Sequence, residues 1–457
     1  MRTAYRNEIS SSKIKYLQQY MPELSQEEIK EIVNEISISE LLEGWDSLSS
    51  EETLKIFLNM DPSRRLDLFN SLSNPEQEKL LEVLSVENVR MLLKEMEPDD
   101  LADFIQSVSP EVRKSVWQNL SDEAKRETLF LLRFDEDDAA GLMTPRYLAI
   151  RSTITVAQAI NFIRKGTAEV ETIYYIYVVD RLKRLMGVVS LRRLLSSPDD
   201  RVIEDIMQRE TITVREDTDQ EEVAKILQTY DLIALPVVDH YNRLLGIITI
   251  DDVLDVIQDE QTEDVYKMGA MGGSPERYLD SSIWKLVRKR IPWLIILLIL
   301  GTVTTNVVHH YESLILGAAF LFIFMPVITQ TGGNSGNQST TLMVRGLATG
   351  EIHFRNIGKI IIKEILVGIM MGLCTGAVIM IRSFFLPPGV DITQAITIGV
   401  ALAFVVLFST LIGALAPLVF HRLGLDPTVM SAPLIATVID VCGLTIYFET
   451  ARLLLGL

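Results

Sequence analysis

Five apolar stretches, at about 291–310, 313–331, 357–383, 394–420 and 428–448, follow one another in the last part of the chain. A helix of roughly 20 apolar residues spans the hydrocarbon core of a bilayer, so each stretch is a candidate crossing. Charge is segregated the same way. Residues 1–280 carry 54 Asp and Glu against 32 Lys and Arg, whereas residues 281–457 carry 7 against 11. A net charge of −18 together with a positive mean hydropathy does not suit one soluble domain, but it suits an acidic soluble assembly joined to a membrane domain. The acidic balance argues against nucleic acid and suits inorganic cations, with plain solubility as the alternative. No apolar secretory segment opens the chain, which predicts a cytoplasmic acidic part. Lys285, Arg288, Lys289 and Arg290 precede the first stretch, Arg345, Arg355 and Lys359 lie between the second and third, and Arg422 lies between the fourth and fifth. The other side offers only Arg382 and Arg452, which predicts the N-terminus inside and the C-terminus outside.

Asp440 sits near the middle of the fifth stretch, whose core holds no Lys or Arg. A carboxylate at that depth costs about 3 kcal/mol or more and persists where it faces a partner, a water-filled cavity or a cation. The stretch opens with Asp426-Pro427, read as an N-cap and a first-turn proline, and Pro433 predicts a kink and a freed carbonyl. The second stretch ends in PVITQTGGNSGNQ (326–338). Its glycines and amides predict open backbone with carbonyls turned to a pore or its waters; an ordinary cytoplasmic loop is the alternative. Cys374 and Cys442 both fall in apolar stretches and suggest neither a disulfide nor a soft-metal site.

The soluble part reads as repeats. From 20 to 133, Leu, Ile and Phe recur at spacings of three and four. Met60-Asp61-Pro62 and Met96-Glu97-Pro98 open similar segments with a period of 36, which predicts stacked helix pairs in a small superhelix. Val178-Val179-Asp180 through Gly187 then aligns with Val237-Val238-Asp239 through Gly246 at a period of 59. Each copy reads as a strand, a polar turn, a second strand and a helix. This pattern resembles a tandem pair of cystathionine-β-synthase (CBS) domains. Such pairs hold adenine nucleotides on a Gly-x-x-Ser/Thr-x-x-Asp run, which the second copy matches with Gly246, Thr249 and Asp252. The first copy has Gly187 and Ser190 but Arg193 in place of the acid, so the resemblance implies at most one cleft for ATP or a relative. A purely structural pair is the alternative.

Between 251 and 265 a helical segment places Asp252, Asp255, Asp259 and Glu263 on one face. Divalent ions would relieve their repulsion; a solvated linker helix is the other reading. Gly269, Gly272, Gly273, Ser274 and Pro275 mark a break before the membrane.

Taken in order, the helical repeats, the CBS pair, the acidic connecting helix, the Pro-x5-Gly-Gly-Asn-x-Gly-x-Gln run and the Asp-Pro…Pro…Asp run resemble the MgtE-type magnesium channel family over essentially the whole chain. The resemblance implies a multidomain fold. Its parts are an α-helical superhelical N-domain (1–135), a tandem CBS α+β pair (136–200 and 201–258), a connecting plug helix (259–283) and a five-helix α-helical transmembrane domain (284–457). It implies a homodimer in a bacterial-type plasma (inner) membrane, conducting Mg2+ and closed by cytoplasmic Mg2+, with ATP as a modulator. Carried onto this chain, the pore residues are Asp440, Ala436, Gly443 and Asn334. The regulatory acids are Asp99, Asp103, Glu221, Asp231, Asp252, Asp255, Glu260, Glu263, Asp264 and Asp426. Oxygen ligands suit a hard ion such as Mg2+, although Ca2+, Mn2+ and Co2+ share that preference. A membrane-anchored sensor that transports nothing and a proton- or Na+-coupled exporter are the competing readings. No nucleophile–base constellation points to an enzyme.

Overall fold

Short helices of eight to ten residues begin every twelve residues from Gln26–Glu35 (α1) to Asp122–Leu131 (α9). Their starts are written in the sequence. Ser25, Ser37, Ser49 and Ser73 form capping boxes with Glu28, Glu40, Glu52 and Glu76. Pro62, Pro98 and Pro110 stand at the first helical position, where a missing N–H costs nothing. Helices two apart in the chain pack on each other, and Leu41, Ile56, Leu68 and Phe69 are fully buried between them. The 36-residue period therefore holds three helices rather than a pair. Capping at every twelfth position cuts the segment more finely than its hydrophobic pattern suggests. The computed structural model describes residues 14–166, 170–272, 281–429 and 432–456, which fall into two units, Met1–Ile257 and Gln258–Leu457.

Each CBS copy forms a three-stranded sheet. Ala149–Ile150 (β1) runs parallel to Tyr175–Val179 (β2), which pairs antiparallel with Leu185–Ser190 (β3). Val214–Arg215 (β4), Ala234–Val238 (β5) and Leu244–Thr249 (β6) repeat that order, including the bulge in the middle strand. The accompanying helices are Val156–Gly166 (α10), Leu191–Leu195 (α11), Ile203–Ile206 (α12) and Gln220–Tyr230 (α13). Asp180 and Asp239 close equivalent turns, each accepting two backbone N–H groups. The N-domain joins the second copy through a shared core: Ala102 of Pro98–Ser107 (α7) and Leu131 pack with Val214, Val223 and Val253.

Ile250–Met268 (α14) is one continuous helix, so the expected boundary between 258 and 259 falls inside it. Gly273, Ser274 and Pro275 lie outside the described residues. The second unit continues with Ile283–His310 (α15), Glu312–Gly317 (α16), Phe320–Ala348 (α17), Ile357–Phe385 (α18), Ile392–Arg422 (α19) and Ala432–Leu455 (α20). Among the described residues four helices are long and apolar enough to cross a membrane, namely α15, α18 with its preceding turn, α19 and α20. The fifth, α17, has a polar second half.

That polar half corrects one expectation. Gly332–Gln338 is helical backbone in the interior of α17, not an open segment. The glycines serve close packing instead. A Cβ on Gly332 would meet Val405 at 2.9 Å and Ile439 at 3.2 Å, and one on Gly413 of α19 would run into the Gly336 carbonyl. Along α18, Gly368, Gly372 and Gly376 approach α19 equally closely. Helices in lipid gain no hydrophobic drive from packing on each other, so small residues that allow close approach hold them together. Pro433 is the second residue of α20, beside residues 430–431, which lie outside the described set.

Gly413→Ala therefore forces the α17–α19 contact apart, an overpacking cost of about 1–3 kcal/mol. Gly301 in α15 meets nothing within 4 Å, so Gly301→Ala serves as a control. The thermal midpoint in detergent should fall for the first variant only. Equal midpoints would show that the close approach is wrong.

Candidate ion-path and regulatory sites

The candidate ion face is built by α17 and α20. Ile439 is 1% exposed and packs into the groove left by Gly332 and Gly336. Successive helical residues differ by 100°, so seating Ile439 turns Asp440 away from the core, and Asp440 is half-exposed. Among the described residues it has no hydrogen-bond or ion-pair partner. Ala436, one turn earlier, has its Cα and Cβ about Gly333, at 4.0 and 3.7 Å from where a Cβ of that glycine would stand. Gly443 is buried against Val405, whereas Asn334 is exposed. Ser335 Oγ and Asn337 Oδ1 are buried without partners. The result is a carboxylate beside small residues, on a helix surface, at membrane depth.

Two further acids occupy helix-rich positions that the sequence reading passed over. Glu364 in α18 is 6% exposed and accepts a hydrogen bond from Ser339 Oγ at 2.9 Å. Its signal was the one that singled out Asp440: an acid within an apolar stretch. An interhelical hydrogen bond returns about 1 kcal/mol in a membrane, less than the roughly 3 kcal/mol a central charge costs. Glu449, towards the other end of α20, accepts from Tyr311 Oη at 2.6 Å and pairs with Arg452 at 2.6 Å.

Asp426 does not open α20. It caps the short turn Pro427–Val429, with Oδ1 accepting from Thr428 N and Oγ1 at 2.8 and 2.6 Å. Its Oδ2 takes Lys267 Nζ at 2.8 Å, and the same ammonium reaches Glu263 at 2.9 Å. Burial pulls the Lys267 ammonium down, but the two carboxylates outweigh it and hold it above its ordinary range. Burial likewise raises Asp426, while Lys267 and Thr428 more than compensate and keep it low. Pro427–Val429 is a 3-10 turn, α20 is described from Ala432, and residues 430–431 lie outside the described set. Glu260 and Asp264 lie on α14 near Glu263.

In the first unit, α7 delivers the expected N-domain acids to α14. Burying Ala102 in the second CBS core carries Asp99 inward, to 6% exposure, with Oδ1 unpartnered. Burial first, then the negative charges of Asp252, Asp100 and Glu97, push its carboxyl well up. Burial also lifts Asp252 to about 6, although Thr249 Oγ1 donates to it at 2.6 Å. Asp103 rises to about 7 through desolvation and its neighbours Glu136, Asp100 and Asp252, even though one side of it reaches solvent. Asp100 is raised too, by burial and then by Asp255 and Asp251, against a hydrogen bond from Asn70. Glu171, from the first CBS copy, joins this group hydrogen-bonded to Glu97; burial and that like charge push it up. Nothing local in the sequence marks Glu171, because only the tertiary fold brings it there. Among the described residues no three acidic, His or Cys side chains form a ready metal cage. The donors are all hard oxygens, and one buried oxygen is orphaned, which fits an ion that keeps several of its waters.

Comparison with known proteins decides the family. The model of the divalent cation transporter MgtE matches residues 325–450, that of the MgtE intracellular N domain matches 34–137, and the CBS domain matches 139–199 and 203–259. The magnesium transporter MgtE of Thermus thermophilus is 43% identical over 74% of this chain and 74% of its own length. That of Enterococcus faecalis is 38% identical over 71% and 70%. The chain belongs to the MgtE family. A crystal structure of the cytosolic domain of the Mg2+ channel MgtE in complex with ATP aligns with a TM-score of 0.50 at 40% identity, covering 52% of this chain and 98% of that one. The soluble part of a magnesium transporter aligns with the same TM-score at 30% identity, covering 55% of this chain and 99% of that one. This is a transporter family, not an enzyme family.

Within this MgtE-family chain the remaining expected residues stand apart from the acid group. Glu221 and Asp231 are exposed near opposite ends of α13, roughly 15 Å apart at the helical rise. Asp231 takes the left-handed conformation that ends the helix. Gly246 is packed against Met143 and the Thr144 carbonyl, so no side chain fits there. Thr249 is buried, and Asp252 is shared between the nucleotide run and the acid group.

The acid group destabilises the metal-free fold. Because the folded carboxyl groups titrate above the ordinary carboxylate range, this cost is absent below about pH 4 and grows as pH rises through about 6 and 7. In EDTA at pH 8, Asp99→Asn should raise the thermal midpoint of the first unit by about 2–4 °C. The gap from wild type should close near pH 4. A variant that melts lower than wild type at pH 8 would remove the case for repulsion.

Proposed function

We propose that this chain forms a homodimeric Mg2+ channel of a bacterial-type plasma membrane, closed when cytoplasmic Mg2+ binds the acids of the cytosolic unit and of α14. The observation that carries the reading is Asp440: a carboxylate at membrane depth, half-exposed and unpartnered, on a helix face thinned by glycines. A second copy of the same face would set two such carboxylates together, and like charges at close range require a cation between them. In this reading all five long helices cross the bilayer, with the N-terminus inside and the C-terminus outside. Membership in a family whose named members are magnesium transporters supports Mg2+ as the cargo.

Transport on this account needs little from the protein beyond position. Asp440 supplies charge; Ala436 and Gly443 keep the face narrow in side-chain bulk, so a cation retains part of its hydration. Asn334, exposed on α17, offers an amide oxygen. Regulation uses the same electrostatics. Asp99, Asp100, Asp103, Asp252 and Asp255 repel one another when no cation lies among them. A divalent ion shared by them favours the compact, closed arrangement, by no more than its differential affinity for the two states. Glu221, Asp231, Glu260, Glu263, Asp264 and Asp426 complete the proposed regulatory set. ATP at Gly246, Thr249 and Asp252 would adjust that affinity, since Asp252 belongs to both sites; the ATP complex of the related cytosolic domain supports this.

The path and the gate have separate tests. Asp440→Ala should reduce Mg2+ uptake into liposomes by about a hundredfold, as expected for losing the charge on the proposed ion face that offsets entry into the membrane. Wild-type uptake by this variant would refute the assignment of the path. Replacing Asp252, Asp255 and Glu263 together by Asn, Asn and Gln should leave uptake high when Mg2+ inside the cell is raised. Inhibition at the wild-type Mg2+ concentration would count against the gate.

A further inference from the structure

Glu364 has no part in the reading above, yet among the described residues it is the most deeply buried acid of the second unit. It lies seven residues into α18 and is 6% exposed. Among the described residues its one polar partner is Ser339 Oγ at 2.9 Å, and no cation pairs with it. The adjacent Lys363 is exposed. A serine hydroxyl does not call for a carboxylate. The side-chain carbonyl of glutamine would accept the same hydrogen bond and bring no charge into the bilayer. The bond explains where the group is held but not why it is an acid.

Its position relates it to the ion face. Ser339 shares a side of α17 with Ser335, one turn earlier, whose hydroxyl is buried and unpartnered. Asn337 Oδ1, between them in sequence, is buried and unpartnered as well. Thr340 Oγ1 lies 3.0 Å from both the Gly336 and Gly413 carbonyls, tying α17 to α19 at this level. The same turn of α17 lays Gly336 against Ile439, the residue before Asp440. Glycine adds no side chain between the two sides of the helix, and the low dielectric of a bilayer interior screens a charge set one helix back less than bulk water would.

We propose that Glu364 is a second acid of the ion path. Held by Ser339 behind the glycine–asparagine turn of α17, its carboxylate lowers the energy of a divalent cation passing between Asp440 and the cytoplasmic mouth. It acts through space rather than as a ligand, and the inference rests on reading the Asp440 face as the path.

The test is Mg2+ uptake by the full-length protein in liposomes, measured against external Mg2+, with thermal midpoints for every variant. E364Q keeps the hydrogen bond and loses the charge; it should lower uptake at limiting Mg2+ by about tenfold with an unchanged midpoint. E364D keeps the charge and should stay within about threefold of wild type. Normal uptake by E364Q, whether or not E364A is impaired, would overturn the proposal, because the hydrogen bond alone would then be the function. D440N separates the two readings. Normal uptake by D440N overturns the path and this proposal with it, whereas a silent D440N beside a normal E364Q overturns only the role of Glu364. Should E364Q fail to insert, Ser339→Ala carries the test, since it releases the carboxylate without removing it. Reduced uptake at an unchanged midpoint supports the proposal, and wild-type uptake overturns it.

Discussion

Carboxylates held where water cannot fully hydrate them are the constraint on which the rest of this structure turns. Asp99 in the first unit and Glu364 in the second are buried, Asp440 is partly buried, and among the described residues none of the three has an ion-pair partner. Such a group is tolerated when it holds a proton or when a positive charge pairs with it. Among the described residues the groups around them are mainly oxygens, which suit a hard cation better than a soft metal. On the proposed function, one chemical demand would serve both for moving an ion and for detecting it.

Glycine makes the membrane half of that arrangement possible. Side chains at Gly332, Gly336 and Gly413 would push α17, α19 and α20 apart. With the helices in contact, Ile439 becomes an anchor that orients Asp440, and Ser339 comes within reach of Glu364. The acids of the first unit are oriented by burying a different small residue: Ala102 enters the second CBS core, and Asp99 and Asp103, on either side of it, are carried towards α14. In each case an apolar contact that any globular core could make dictates where a costly charge points.

Much of this was legible in the residues. Asp180 and Asp239 announced two equivalent turns, and the 59-residue period reproduced the sheet order down to the bulge. Ser-x-x-Glu capping boxes were equally readable, and a finer reading of them would have shown three helices per 36 residues. The GGNSGNQ run misled because its composition fits a loop. In lipid the backbone must be satisfied internally, so the same glycines form a helix and are spent on contact. The Glu97–Glu171 pair was beyond reach, since it joins residues from two domains through burial that no local pattern encodes.

Lys267 shows how the same electrostatics can be satisfied without metal. Its ammonium bridges Glu263 and Asp426 at 2.9 and 2.8 Å, leaving the three groups with a net charge of one negative unit. A tethered ammonium offers three donors and one positive charge. A divalent ion brings two positive charges and can be shared among more oxygens. The two cannot occupy the space between these carboxylates together, so any metal that binds there must first displace the lysine. Its affinity is then reduced by the strength of that ion pair, which is modest for side chains that remain about one-third exposed. Among the described residues no lysine or arginine is paired with Asp99, whose carboxyl is pushed up by burial and by the neighbouring acids instead of being held low by an ammonium.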